Sequence, residues 1–386
     1  MEKRIPDILS MIRTLVGCSS ISSVDPRYDQ SNLGVIHILA EWAEALGFKV
    51  SLYPVSEQKS NLIATLGDPE SCNGLVLSGH TDTVPFDESL WTVDPFDVTE
   101  YNNRYYGLGT TDMKSFFALV LDAVSCYSKK ELREPITVIA TADEESTMAG
   151  AKLLVEKGLK LGRYAVIGEP TDLQPIRMHK GVMMESIVIN GKAGHSSDPT
   201  LGANAIEGMH SVLSELLTWR QELQQKYHNP NFKVGMPTLN LGSIRGGDNP
   251  NRICPHCETQ IDIRPLPGMD LEELRCSLKE RIETILKFHP KLSVEIESLS
   301  SGVPAFEIPE SSTLVTMCER LTGKASGSVA FGTEAPYFSQ LGMETVIMGP
   351  GSINQAHQAD EYLPMDQILP TVEVVRHLVN QFCRNK

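Results

Sequence analysis

A cationic surplus is what this chain most plainly lacks: 34 Lys and Arg stand against 49 Asp and Glu, a formal charge of −15 over 386 residues. That balance opposes non-specific attraction to nucleic acid or to an anionic membrane surface, and it points to a small-molecule or peptide partner. Long apolar runs are missing too, so no segment reads as a membrane span. The opening Met1-Glu-Lys-Arg-Ile-Pro-Asp-Ile-Leu-Ser10 carries acids at Glu2 and Asp7 and no uninterrupted apolar core, which is not the pattern of a secretory leader. Only eight cysteines occur, scattered rather than arranged as the dense framework of a small secreted domain, and a reducing cytoplasm is the expected setting. Internal repeats and low-complexity stretches are absent. What remains has the composition of a globular protein, 41% hydrophobic and 22% charged, at a length that suggests about two to three domains.

One cysteine pair has a suggestive spacing. Cys254-Pro-His-Cys257 matches the C-x-x-C of dithiol oxidoreductases, but such a motif needs a helix N-terminus to lower its thiol pKa. The residues that follow, Glu258–Arg264, alternate like a strand instead. Zinc binding there would need further ligands, and only His256 is nearby.

Short apolar runs at 61–66, 74–78, 136–142 and 165–168 alternate with helical patterns at 30–47, 115–128 and 148–157, which predicts an α/β domain with a mostly parallel sheet. From about residue 181 the pattern changes to alternating stretches at 184–189, 238–244 and 258–264 and helices at 203–227 and 270–288. The helix at 203–227 is expected to bury Ile206, Met209, Leu213, Leu216 and Leu217 against that sheet. After His289-Pro290 come a strand near 292–298, a helix at 311–322, a strand near 344–348 and a helix at 366–383, all read as a return to the first domain. The expected organisation is therefore one α/β domain, 1–180 plus 291–386, interrupted by a small two-layer α/β domain at 181–290.

The residues with chemical potential fall just after the apolar runs, where sites in open α/β sheets gather. Glu144 and Glu145 stand side by side after Ile136–Ala142, with Asp143 making three acids in a row. Adjacent carboxylates beside a buried strand repel and lose hydration, so a cation or shared proton makes them tolerable, although alone they read more readily as a solvated charge cluster on a loop. His80 is followed two residues later by Asp82, a spacing that lets the carboxylate hold one ring nitrogen while the other faces a metal; an ordinary hydrogen-bonded histidine has the same signature. The glycines of Tyr106–Lys114 lack the spacing of a P-loop or dinucleotide fingerprint, and Asp112 at the turn into a helix is better placed as a ligand. Glu169 follows Tyr164–Gly168, and His357 ends a glycine-rich loop from Gly349. Two histidines, one aspartate able to bridge and three glutamates offer enough ligands for two divalent ions, and imidazole with carboxylate suits zinc.

Ser78-Gly-His-Thr-Asp-Thr-Val84, Gly107-Leu-Gly-Thr-Thr-Asp-Met-Lys114, Ala142-Asp-Glu-Glu145, Ile167-Gly-Glu-Pro-Thr171 and Gly194-His-Ser-Ser197 together resemble the di-zinc aminoacylase and peptidase family, in order and over nearly the whole chain. Trp91-Thr-Val-Asp-Pro-Phe96, Gly349–Gln358 and Asp360-Glu-Tyr-Leu363 are most similar to bacterial members that deacylate an amino acid. The resemblance implies a zinc-hydrolase catalytic domain with an inserted dimerisation, or lid, domain, acting on a linear amide. It implies two divalent metal ions per subunit, zinc with cobalt as a substitute, one held by His80 and Glu169, the other by Glu145 and His357, with Asp112 bridging and a cis Asp112–Met113 peptide. It gives Glu144 the general acid–base role and has Asp82 orient His80. It also implies a homodimer in which His195 reaches the partner's site, with Arg264, Asn240 and Asn251 contacting substrate.

Overall fold

The computed structural model describes residues 5–384; residues 1–4 of the N-terminal stretch read above lie outside them. Two compact units are present. The first comprises the chain up to Arg177, Ile308–Gly327 and the chain from Thr333; the second comprises Met178–Glu307 and Ser328–Gly332.

In the first unit six strands lie in the order Lys49–Pro54, Ser60–Leu66, Ile136–Thr141, Leu75–His80, Tyr164–Pro170, Glu344–Gly349. The first two junctions are antiparallel and the next three parallel. Leu75–His80, Ile136–Thr141 and Tyr164–Pro170 are buried along their whole length, as strands covered on both faces must be, which is why they read as continuous apolar runs. The helix Lys114–Val124 is buried at every residue and packs against Ile8–Val16, Ile368–Phe382 and the strand Leu75–His80. A Cβ on Gly168 would come within 2.3 Å of the Phe116 ring, so the bare backbone of that strand is what lets the helix settle on the sheet. Burying Phe116, Phe117, Leu119 and Leu121 contributes roughly 1.5–3 kcal/mol each before entropy is counted.

Register decides where the chemistry emerges. Ser78 pairs with both Ile139 and Ile167, so the carboxyl ends of the three central strands are level. His80 ends the first strand, Glu144-Glu145 follow the second, and Glu169 sits two residues past Ile167. A separate three-stranded sheet, Thr99–Tyr101, Arg104–Tyr106 and Tyr362–Pro364, was not foreseen. Its hairpin turns on Asn102-Asn103, both left-handed at φ 49° and 57°, as a two-residue turn of this hand requires.

The second unit is a four-stranded antiparallel sheet in the order Thr238–Gly246, His256–Arg264, Met183–Asn190, Ser293–Ser298, packed against the helices Ala205–Lys226 and Leu271–Leu286. Its core includes Ile187, Ile189, Met209, Val212, Leu216, Trp219, Ile261, Leu278 and Ile282. Asn204 and Asp270 cap the two helices by accepting from Ile206 N and from Glu272 N and Glu273 N. Two expectations need correction. Ser293–Ser298 pairs with Met183–Asn190, so this unit runs through Glu307 and does not stop at residue 290. Ile206 and Leu217 are exposed; the buried face of the long helix runs Met209, Val212, Leu216, Trp219, Leu223, the stripe that meets the sheet and the neighbouring helix. Cys254 and Cys257 are buried free thiols, with Cys257 inside a strand rather than at a helix start. Among the described residues no helix is long and apolar enough to cross a membrane.

Candidate metal centre

His80 is fixed at its strand end: its Nδ1 lies 3.0 Å from the main-chain carbonyl of Asp82, and its Nε2 lies 3.0 Å from Asp112 Oδ1. The Asp82 carboxylate is the more distant partner, with Oδ1 at 3.6 Å from Nδ1 while Oδ2 accepts from Glu145 N at 3.0 Å. Asp82 thus orients the imidazole chiefly through its backbone and uses its side chain to hold the turn carrying Glu145. Asp112 stands on the turn into Lys114–Val124, and its peptide to Met113 is cis. Its second oxygen, Oδ2, faces His357 Nε2 at 3.5 Å, and the same ring nitrogen lies 3.0 Å from Glu145 Oε1. One carboxylate therefore presents its two oxygens to two imidazoles, the arrangement of a bridging ligand.

Donor atoms from His80, Asp112 and Glu169 lie within 4.8 Å of one another, as do those of Asp112, Glu145 and His357, and those of His80, Glu144 and Glu145. Glu169 and Asp112 are buried, and Glu169 Oε1 has no hydrogen-bond partner. An orphaned buried carboxylate oxygen is costly, and it is the donor a cation would satisfy. The residues present fit two hard or borderline divalent ions.

The electrostatics of the cluster agree. Burial, followed by the neighbouring Glu169, pushes the Glu144 carboxyl well above the usual range. Burial and the charge of Asp112 do the same to Glu169 and raise Glu145. Burial would also raise Asp112, but hydrogen bonds from His357 and His80 hold it below the ordinary carboxylate value. Burial disfavours a charged His80, yet Asp112 and Asp82 more than offset this and raise it well above the usual imidazole range. Hydrogen bonds to Asp112 and Glu145 lift His357 to about 10.

Other buried charges nearby were not assigned from the sequence. Asp143 accepts from Lys59 Nζ at 2.7 Å and from Ser22 Oγ at 2.8 Å, anchoring the turn that carries Glu144 and Glu145. Glu361, fully buried, accepts main-chain hydrogen bonds from Gly109, Thr111 and Asp112; burial raises it to about 8. Glu334 is buried with both oxygens unpartnered, and burial raises it to about 7. The segment Asp360-Glu-Tyr-Leu363 was a sequence signal for Glu361; nothing comparable marked Glu334.

The clustered residues all belong to the first unit. His195, Asn240, Asn251 and Arg264 belong to the second. There His195 is exposed on a loop, its Nδ1 2.7 Å from Ser197 Oγ. Asn240 and Asn251 are exposed, and Arg264 pairs with Asp262 at 3.0 Å.

Imidazoles and carboxylates converging at the carboxyl ends of an α/β sheet, around a doubly shared aspartate, define a metallohydrolase. Residues 76–381 match the profile of peptidase family M20/M25/M40, and the chain belongs to that family, whose members hydrolyse amide bonds. It is 45% identical over the full length of both chains to an acetylornithine deacetylase of Yersinia pestis, and 47% identical, again over both full lengths, to one from Pectobacterium carotovorum subsp. carotovorum. The fold matches an M20 family metallo-carboxypeptidase from Sulfolobus solfataricus with a TM-score of 0.76 at 17% identity, covering 98% of this chain and 99% of that one. It also matches a dinuclear metal binding peptidase of the M20 family from Bacillus subtilis, with a TM-score of 0.68 at 15% identity over 97% of each chain.

Proposed function

We propose that this enzyme hydrolyses N-acetyl-L-ornithine to acetate and L-ornithine, serving arginine biosynthesis in the cytoplasm. The observation that carries the chemistry is Asp112 facing His80 with one oxygen and His357 with the other, beside a buried Glu144. The substrate follows from full-length similarity to acetylornithine deacetylases. Two divalent cations, zinc or cobalt, would be held by His80, Asp112 and Glu169 on one side and by Asp112, Glu145 and His357 on the other, supplying Lewis acidity to the scissile carbonyl and to water.

Glu144 takes a proton from the attacking water as its oxygen bonds to the acyl carbon. It then delivers that proton to the amine nitrogen as the C–N bond breaks. Its raised affinity for protons suits both halves of this exchange. Asp82, through its carbonyl, keeps the His80 ring turned so that Nε2 faces the cluster. In a homodimer His195 of a second copy would donate to the developing oxyanion, and Arg264 would clamp the substrate carboxylate with Asn240 and Asn251 alongside.

The test is a substrate panel on metal-reconstituted protein. N-acetyl-L-ornithine should be turned over faster than N-succinyl-diaminopimelate, and a chelator should abolish both activities. Faster hydrolysis of the succinyl substrate would overturn the choice of substrate.

A further inference from the structure

We propose that Glu361 is a positioning residue: it sets Asp112 against His357 and so governs uptake of the cation shared by Asp112, Glu145 and His357. This rests on the two-metal reading above. Glu361 is 1% exposed and contributes no donor atom to the clustered groups. Its carboxylate faces main chain instead: Oε2 accepts from Gly109 N at 3.0 Å, and Oε1 accepts from Thr111 N at 2.7 Å and Asp112 N at 2.9 Å. Gly109, at φ 83°, takes the left-handed conformation that turns this loop around the carboxylate. The clamp continues on either side. The Glu361 carbonyl accepts from Gly107 N at 3.0 Å, and the Tyr362 carbonyl accepts from Thr111 Oγ1 at 2.5 Å.

The two halves of the cluster depend on this clamp unequally. His80 and Glu169 stand on strands whose ladders fix them independently of Glu361. His357 and Asp112 both stand on loops. His357 lies four residues before Glu361, on a segment further tied down where Asp360 accepts from Thr92 N at 2.8 Å and Thr92 Oγ1 at 2.7 Å. Asp112 is the residue whose own N–H Glu361 holds. Glu361 therefore joins two of the three loop-borne ligands of one half, while the other half keeps two strand-borne ligands whether or not Glu361 is present. Removing the carboxylate leaves three buried N–H groups without an acceptor, and the Asp112 loop moves first.

The experiment titrates metal-free protein with Co2+ by calorimetry and visible absorption, comparing wild type, Glu361→Ala and Glu361→Gln, each checked for folding by circular dichroism. Wild type should take two ions. Glu361→Ala should keep one site near wild-type affinity and weaken the other by about 10–100-fold, the usual scale for groups supporting a metal ligand. Glu361→Gln should fall between, because its amide oxygen still serves Thr111 and Asp112 while its NH2 opposes Gly109 N–H. Equal weakening of both sites, or no change in either, overturns the inference while leaving the two-metal reading standing. If Glu361→Ala does not fold, Glu361→Gln decides, and less than about a twofold difference between its two sites overturns the inference. A wild-type protein that takes fewer than two ions overturns both.

Discussion

Replacing Lys59 with Met should both destabilise the first unit and slow the enzyme. The Lys59 side chain is 4% exposed, and its Nζ lies 2.7 Å from Asp143 Oδ1, itself 15% exposed, and 2.8 Å from Asp29 Oδ1, 35% exposed. The half-exposed Asp29 arm is worth little, whereas stripping Asp143 of its cation leaves a largely buried carboxylate with only the Ser22 hydroxyl. Breaking a buried pair costs about 3–5 kcal/mol; with Ser22 retained and Asp143 partly solvated, the lower end, about 3 kcal/mol, applies. At about 2–4 °C per kcal/mol for a unit of roughly 150–250 residues, the melting temperature should fall by roughly 6–12 °C. Burial disfavours the Lys59 charge, but hydrogen bonds to Asp143 and Asp29 more than compensate, so its pKa is raised above 10.5. A raised pKa makes this stabilisation fully present below the unfolded value and lost as pH rises through the folded one. The gap between wild type and variant should therefore hold steady from about pH 7 to 9 and close in the alkaline range. Adding Asp143→Asn removes the orphaned charge and should recover at least half the loss. A melting temperature unchanged by Lys59→Met, or a double variant less stable than the single, would show that the Lys59–Asp143 pair does not stabilise this unit.

Glu144→Ala should cut kcat by about 10²–10⁴-fold while both metals stay bound, measured by steady-state kinetics alongside metal analysis; retained turnover removes its assigned role. Cation uptake should release protons, because His357, held at about 10, and His80, held well above the imidazole range, carry them on the nitrogens facing the cluster. Those raised pKa values favour the proton-filled form below the unfolded imidazole value and lose that advantage as pH rises through about 10, so metal affinity should climb with pH. Calorimetry in two buffers of different ionisation enthalpy measures the release, and none at about pH 7 contradicts the assignment. Mixing inactive His195→Ala with inactive Glu144→Ala should restore some activity if His195 acts across a dimer. No recovery from proven heterodimers would exclude a shared site.

The sheet was legible because its central strands are buried on both faces, so Leu75–Ser78 and Ile136–Ala142 appear as bare apolar runs with acids or histidine immediately after. Level strand ends then bring those acids together without any further signal. Sheet membership was not legible for Ser293–Ser298: a short run alternating between half-buried and exposed carries no mark of which neighbour it will pair with. Ile206 and Leu217 misled because helical spacing identifies a stripe but not its centre, which the packing of Trp219 and Leu223 decides. The three-residue strands around Asn102-Asn103 are too short for periodicity to register. The contacts of Asp143 and Glu361 were opaque for another reason, although the segment around Glu361 was itself marked. Their partners, Lys59 and the Gly109–Asp112 backbone, are 84 and about 250 residues away, and no local spacing encodes such a contact.

In the function proposed above, two cations gathered by His80, Asp112, Glu145, Glu169 and His357 would drive hydrolysis of N-acetyl-L-ornithine. The most direct measurement strips the protein with chelator and follows acetate release from this substrate as zinc is returned. Activity should be absent in the stripped protein and should rise to its plateau at two equivalents per chain. Chelator-insensitive hydrolysis, or a plateau reached with no bound metal, would contradict it.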